Sequence, residues 1–178
     1  MRLFIGTFLD SKITKMLPME DIEKVFIDDL KNIKKENIHI TWIFLGDVEV
    51  DKRPFIEEIL NQNLKVFKGL TFRSNKLEFW PLQKQPRLIV LTGELNKAID
   101  LNSLSNDLKT VCHPDIKNDF IPHVTIGRFK KDETVNKHTP LPKVEQFTWN
   151  INEISLIQST LTNEGPKYQK LYNWDISL

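Results

Sequence analysis

The tetrapeptide His-Ile-Thr-Trp at positions 39–42 returns as His-Val-Thr-Ile at positions 123–126. Each copy sits in a run of strand-forming residues, and each is followed by a glycine, Gly46 and Gly127. The surroundings repeat too. Before residue 70 the order reads strand, helix, His-x-Thr strand, helix; after residue 86 it reads strand, helix, His-x-Thr strand. A chain organised this way is expected to fold as two similar lobes.

The individual elements follow from periodicity. RLFIGTFL (2–9) is apolar on both faces and reads as a first strand. Ser11–Leu30 carries a weaker helical pattern, interrupted by Pro18. Ile38–Leu45 is a second strand, closed by Gly46-Asp47. Pro54–Val66 has apolar residues at 55, 56, 59, 60, 64 and 66, with Pro54 suited to a first helical turn. Residues 70–80 and 87–95 read as two strands in a hairpin-like arrangement, joined by the turn-like PLQKQP. Helical spacing returns over Leu95–Val111, and Phe120–Phe129, Gln146–Gln158 and Tyr168–Leu178 read as further strands. Neighbouring strands are close enough to pair antiparallel, so the expected class is α+β rather than a doubly wound parallel sheet. No linker rich in Gly, Ser or Pro divides the chain, and residues 1–178 are expected to form a single bilobal domain.

Charge narrows the possible partners. Lys and Arg number 25 against 24 Asp and Glu, which argues against a protein that grips a long nucleic-acid backbone. It leaves room for a site that holds one phosphate or one RNA end. The single cysteine, Cys112, can form no intrachain disulfide and no CxxC metal motif. A reducing compartment is the natural setting. With neither a signal-peptide core nor an apolar run of membrane-spanning length, the expected location is the cytoplasm.

On an extended strand successive side chains alternate between faces. His39 and Thr41 therefore point one way, and Ile40 and Trp42 the other; His123 and Thr125 likewise oppose Val124 and Ile126. Each motif presents an imidazole beside a hydroxyl, anchored by apolar residues behind. Two such strands facing each other suit phosphodiester chemistry, with one neutral imidazole taking a proton from water and one protonated imidazole giving a proton to the leaving oxygen. The threonine hydroxyls would hold the non-bridging oxygens. A lone His-x-Thr on a strand usually means nothing, but two of only four histidines fall in matching motifs here. A two-histidine metal site is the weaker alternative, because no Asp, Glu or Cys stands at ligand spacing in either motif.

NIHITWIFLGDV (37–48) and FIPHVTIGRF (120–129) resemble the two HxTx signatures of the 2H phosphoesterase superfamily. More narrowly, the chain is similar to the RNA 2′,3′-cyclic phosphodiesterases, often named 2′-5′ RNA ligases. RLFIGTFL, QPRLIVLTGEL and LIQSTLTNEGPKYQKL carry the likeness to nearly the full length. The resemblance implies two pseudo-symmetric lobes of antiparallel sheet with helices outside and an active-site cleft between them. It implies hydrolysis of a 2′,3′-cyclic phosphate on an RNA or oligonucleotide end to a 2′-phosphomonoester, with no cofactor or metal. His39 would be the proton donor to the departing 3′ oxygen and His123 the proton acceptor. Reversal with a 5′-hydroxyl end would make a 2′-5′ linkage. Two departures stand out: Trp42 replaces the usual leucine, and Ile43 a commonly basic residue, a lost cation that would weaken the grip on RNA or alter the choice of substrate.

Arg128 matches the arginine after the second motif; strict alternation puts it opposite His123, unless Gly127 allows a bulge that re-aims it. Arg87 and Tyr168 lie in family-like segments and are further candidates for binding substrate. Phe4 and Phe8 fit core packing better than base stacking. His113 and His138 read as surface residues, and the lysines of KNIKKEN (31–37) as a solvated edge. The expected protein is a monomer without membrane contact. The rival readings are a non-catalytic module that binds nucleotides or RNA ends, and a phosphodiesterase of small cyclic nucleotides.

Overall fold

The computed structural model describes residues 1–31, 33–82, 84–115, 120–131, 134–163 and 165–177. The apolar run at the start forms β1 (Arg2–Phe8), followed by two short helices, α1 (Ser11–Thr14) and α2 (Met19–Val25). Asp10 starts α1 by accepting from the backbone of Lys12 and Ile13, and Pro18 stands at the head of α2. The first motif strand is β2 (His39–Asp47) and the next helix α3 (Arg53–Asn63), which buries Ile56 and Leu60. Then come β3 (Thr71–Trp80), β4 (Leu88–Leu95), α4 (Leu101–Leu108) and the second motif strand β5 (His123–Arg128). The chain ends its elements with β6 (Thr148–Asn150), β7 (Glu153–Thr162) and β8 (Gly165–Asp175).

The strands form two antiparallel sheets of four, in the orders β2-β1-β7-β8 and β5-β4-β3-β6. The expected α+β class and its pseudo-symmetry hold. β1 leads through helices to its neighbour β2, as β4 leads through α4 to β5, so each motif strand is the edge of its own sheet. The two edges meet, and helices cross between lobes: α2, from the first unit, packs on β5, and α4, from the second, packs on β2. One continuous apolar core joins the lobes, with the Phe26 ring edge-on to Phe129 at 5.3 Å and Trp42 5.8 Å from Phe120.

Three expected elements are corrected. The helix expected over Leu95–Val111 starts only at Leu101. The Asn96 side chain ties this stretch to β3 instead, accepting from Thr71 N at 2.9 Å and donating to Gly69 O at 2.9 Å, and Asp100 then caps α4. The strand expected over Gln146–Gln158 is two strands in different sheets. β6 pairs with β3 and β7 with β1, the chain turning at Ile151-Asn152. The last strand begins before Tyr168, because Gly165, at φ +108°, closes a tight hairpin in which Thr162 Oγ1 donates to its carbonyl. Asn32 of the lysine-rich run, Gln83 of the expected turn, Glu164 and Leu178 lie outside the described residues.

Candidate active site

The register of the two motif strands defines the site. In the first sheet His39 lies opposite Phe8, Thr41 opposite Gly6 and Phe44 opposite Phe4. In the second, His123 lies opposite Thr92, Thr125 opposite Val90 and Arg128 opposite Leu88. Directly opposed residues share a face, and β1 and β4 alternate without interruption here. The pairing passes over Trp42 in β2 and Ile126 in β5, so both motifs carry an extra residue at their fourth position. Such an insertion resets the alternation. Arg128 thereby joins the face of His123 and Thr125, and Phe44 joins that of His39 and Thr41.

Positions that interrupted the sequence likeness fall elsewhere. Ile43 is buried among apolar residues, so a missing cation there is absent from the core side of the strand, not from the cleft. Its counterpart Gly127 also faces inward, where an added Cβ would come within 3.1 Å of Ile89. Trp42 is buried too, its indole donating at 2.9 Å to Thr7 Oγ1, which itself donates to Glu153 O at 2.8 Å.

The imidazoles are anchored alike. His39 Nδ1 meets the carbonyl of Asn37 at 2.6 Å, and His123 Nδ1 that of Ile121 at 2.8 Å. A carbonyl only accepts, so Nδ1 donates in both rings and Nε2 is left for proton chemistry. Their surroundings differ. The His39 ring is walled by Phe4 at 4.9 Å, Phe8 at 5.6 Å and Tyr168 at 5.0 Å between centroids. Gly6 permits this, since a Cβ there would stand 2.9 Å from the Phe4 ring and 2.8 Å from Ile40 O. The His123 ring lies 4.5 Å from Trp80, whose indole donates to Glu78 at 3.1 Å.

Tyr168 reports the shape of the first sheet. Its strand, β8, is three ladders from β2, about 14 Å in a flat sheet. Ring contact with His39 therefore requires the sheet to curl around its cleft face, with Asn37 Nδ2 donating to Pro166 O at 3.3 Å across the gap.

Burial pushes the His39 imidazole down to about 4; the Asn37 carbonyl opposes this, while the charges of His123 and Arg128 add to it. His39 is thus neutral at neutral pH, and both His123 and Arg128 stand within reach of its field. Burial pushes the Tyr168 phenol up, against the pull of Arg128 and Arg2, so its hydroxyl keeps its proton.

The fold thus brings together His39, Thr41, His123, Arg128 and Tyr168, with Thr125 on the His123 face. Both threonines are half-buried, and among the described residues neither hydroxyl has a partner. Arg87 is exposed, and its guanidinium donates to the Lys131 carbonyl in the segment after β5 rather than to either imidazole. His113 and His138 are exposed. Among the described residues no cluster of three or more His, Cys, Asp or Glu side chains is placed to hold a metal ion. Sequence reasoning missed Trp80, which reaches the site from β3, and no local pattern marks it.

No family model matches the chain. A protein of Archaeoglobus fulgidus named RNA 2′,3′-cyclic phosphodiesterase is 31% identical, the alignment covering 96% of this chain and 98% of the relative. A protein of the same name from Aquifex aeolicus is 33% identical, covering 94% of this chain and 93% of that one. The chain belongs to the RNA 2′,3′-cyclic phosphodiesterase family. Membership in this phosphodiesterase family takes in both sheets and both motif strands, since the likeness runs end to end. The solved structure of a Thermus thermophilus protein, 20% identical, has the same fold, with a TM-score of 0.74 over 99% of this chain and 98% of that chain. No described helix is long and apolar enough to cross a membrane.

Proposed function

We propose that the chain acts as one bilobal, monomeric, cytoplasmic enzyme that hydrolyses 2′,3′-cyclic phosphate ends of RNA or oligonucleotides to 2′-phosphomonoesters, without a metal. The observation that carries this reading is the matched pair of imidazoles, each fixed through Nδ1 to a carbonyl two residues upstream, on facing strand edges. Water attacks phosphorus as one imidazole takes its proton; the bond from phosphorus to the 3′ oxygen breaks as the other gives that oxygen a proton. Thr41, Thr125 and the Tyr168 hydroxyl donate to the non-bridging oxygens, and Arg128 balances their charge. The same displacement, with the hydroxyl of a 5′ end attacking in place of water and the 3′ oxygen again leaving with a proton, forms a 2′-5′ linkage.

The resemblance gives His39 the donor role and His123 the acceptor role. In that case the negative charge of the bound phosphate must offset the burial of His39, so that its imidazole takes up a proton from solvent. A second reading exchanges the roles, and the burial that keeps His39 neutral at neutral pH favours it.

The test is hydrolysis of an oligoribonucleotide ending in 2′,3′-cyclic phosphate, in EDTA. Turnover should persist, and His39→Ala and His123→Ala should each lower kcat by about 10²–10⁴-fold. Activity lost to the chelator, or retained by both variants, would sink the mechanism. Tight binding without turnover would support the binding module instead. A substrate with sulfur in place of the 3′ oxygen separates the roles, because a thiolate leaves without a proton: it should rescue only the variant that lacks the donor.

A further inference from the structure

The cleft face of the first sheet continues past the motif strand. Thr41 lies opposite Gly6, Gly6 opposite Ser155 and Ser155 opposite Asn173, so one row crosses all four strands on the face of the first motif. Beside that row His39 lies opposite Phe8, and Glu153 opposite Asp175. The far ends of these rows line a cavity of about 550 Å³, within the size range of small-molecule sites. Phe8 is the wall it shares with the imidazole, since its ring lines the cavity and lies 5.6 Å from that of His39. Lys170 Nζ stands over the same ring at 5.6 Å and is paired with Glu153. At the base of the cavity the buried Ser155 hydroxyl donates at 2.6 Å to Asn173 Oδ1, which leaves the amide N–H groups of Asn173 as its donors. Among the described residues lining the cavity, three carboxylates, Asp10, Glu153 and Asp175, face one ammonium, Lys170.

We propose that this cavity is the subsite for the nucleoside on the 5′ side of the reacting nucleotide, an assignment that rests on the hydrolytic reading above. A 2′,3′-cyclic phosphate closes the 3′ end of a strand, so its neighbour can only be on the 5′ side. The phosphate that links the two nucleosides passes the Phe8 wall, where Lys170 supplies the cation. An ammonium has three donors, and the pair with Glu153 leaves others for that phosphate. Beyond the wall the carboxylates accept from ribose hydroxyls and base amino groups, and Asn173 donates. The same carboxylates repel a second phosphate. The subsite therefore takes one nucleoside and no more of the strand.

The test compares adenosine 2′,3′-cyclic phosphate with the diadenylate and the triadenylate that end in the same group and begin with a 5′ hydroxyl. Wild-type kcat/KM should rise about tenfold from one nucleoside to two, and should not rise again at the third. Lys170→Met keeps the stem without the ammonium, and Asn173→Asp keeps the acceptor for Ser155 without the donor. Each should lower kcat/KM on the diadenylate by about threefold to tenfold and leave the mononucleotide unchanged, which also shows that the variant is folded. A mononucleotide cleaved as well as the diadenylate, equal losses on both, an advantage that survives both substitutions, or a second rise at the third nucleoside would each overturn the subsite alone. If the wild type cleaves none of the three substrates, the hydrolytic reading falls and takes this one with it.

Discussion

His39 is the residue on which burial acts most directly. Its imidazole is pushed down to about 4 when folded, against an ordinary value of 6.5. Between these values the unfolded chain binds more protons than the folded one, so stability is lost as pH falls from about 6.5 toward about 4. His39→Gln removes that titration. The denaturation midpoint of the wild type should therefore drop more steeply across this window than that of the variant, and superimposable profiles would refute the shift. A phosphate in the cleft opposes the same burial, so saturating inorganic phosphate should raise the His39 titration midpoint observed by NMR.

At the scale of the element, the decisive feature is the extra residue in each motif strand. In β2 it is Trp42, pinned through Thr7 to the Glu153 carbonyl, so that one hydroxyl joins β2, β1 and β7. Thr7→Val leaves the indole N–H and that carbonyl without their partner in a buried setting. It should cost about 1–3 kcal/mol in urea unfolding, whereas Thr7→Ser should keep most of the stability. This element also marks where sequence reading stops. The pairing of His39 with Thr41, and of His123 with Thr125, was legible because a strand repeats every two residues regardless of its partners. The faces of Arg128 and Phe44 were not, since they depend on which residue the neighbouring strand passes over. Trp80 reaches its imidazole from another strand, and Tyr168 does so only because a sheet curls; neither contact leaves a local trace. The helix over Leu95–Val111 was overextended for a related reason: Asn96 is claimed by β3, a long-range contact that outweighs helical spacing.

For the molecule as a whole, the near-zero balance of charge sets how substrate is gathered. With a net charge of +1, the overall charge of the molecule supplies little pull on a polyanion. If only one or two phosphates are engaged, log kcat/KM for an RNA end should fall with log salt at a slope of about −0.7 to −1.4. Lengthening the RNA should not steepen it; a slope that grows with length would reveal a longer track. The order of the strands bears on synthesis as well. The second sheet is built from residues 71–150, a continuous stretch, whereas in the first β1 pairs with β7, and β7 with β8. On a ribosome the sheet holding His123 can close while the one holding His39 still waits for residues 153–175. On the mechanism proposed above, proton transfer by the paired imidazoles would await the last hairpin.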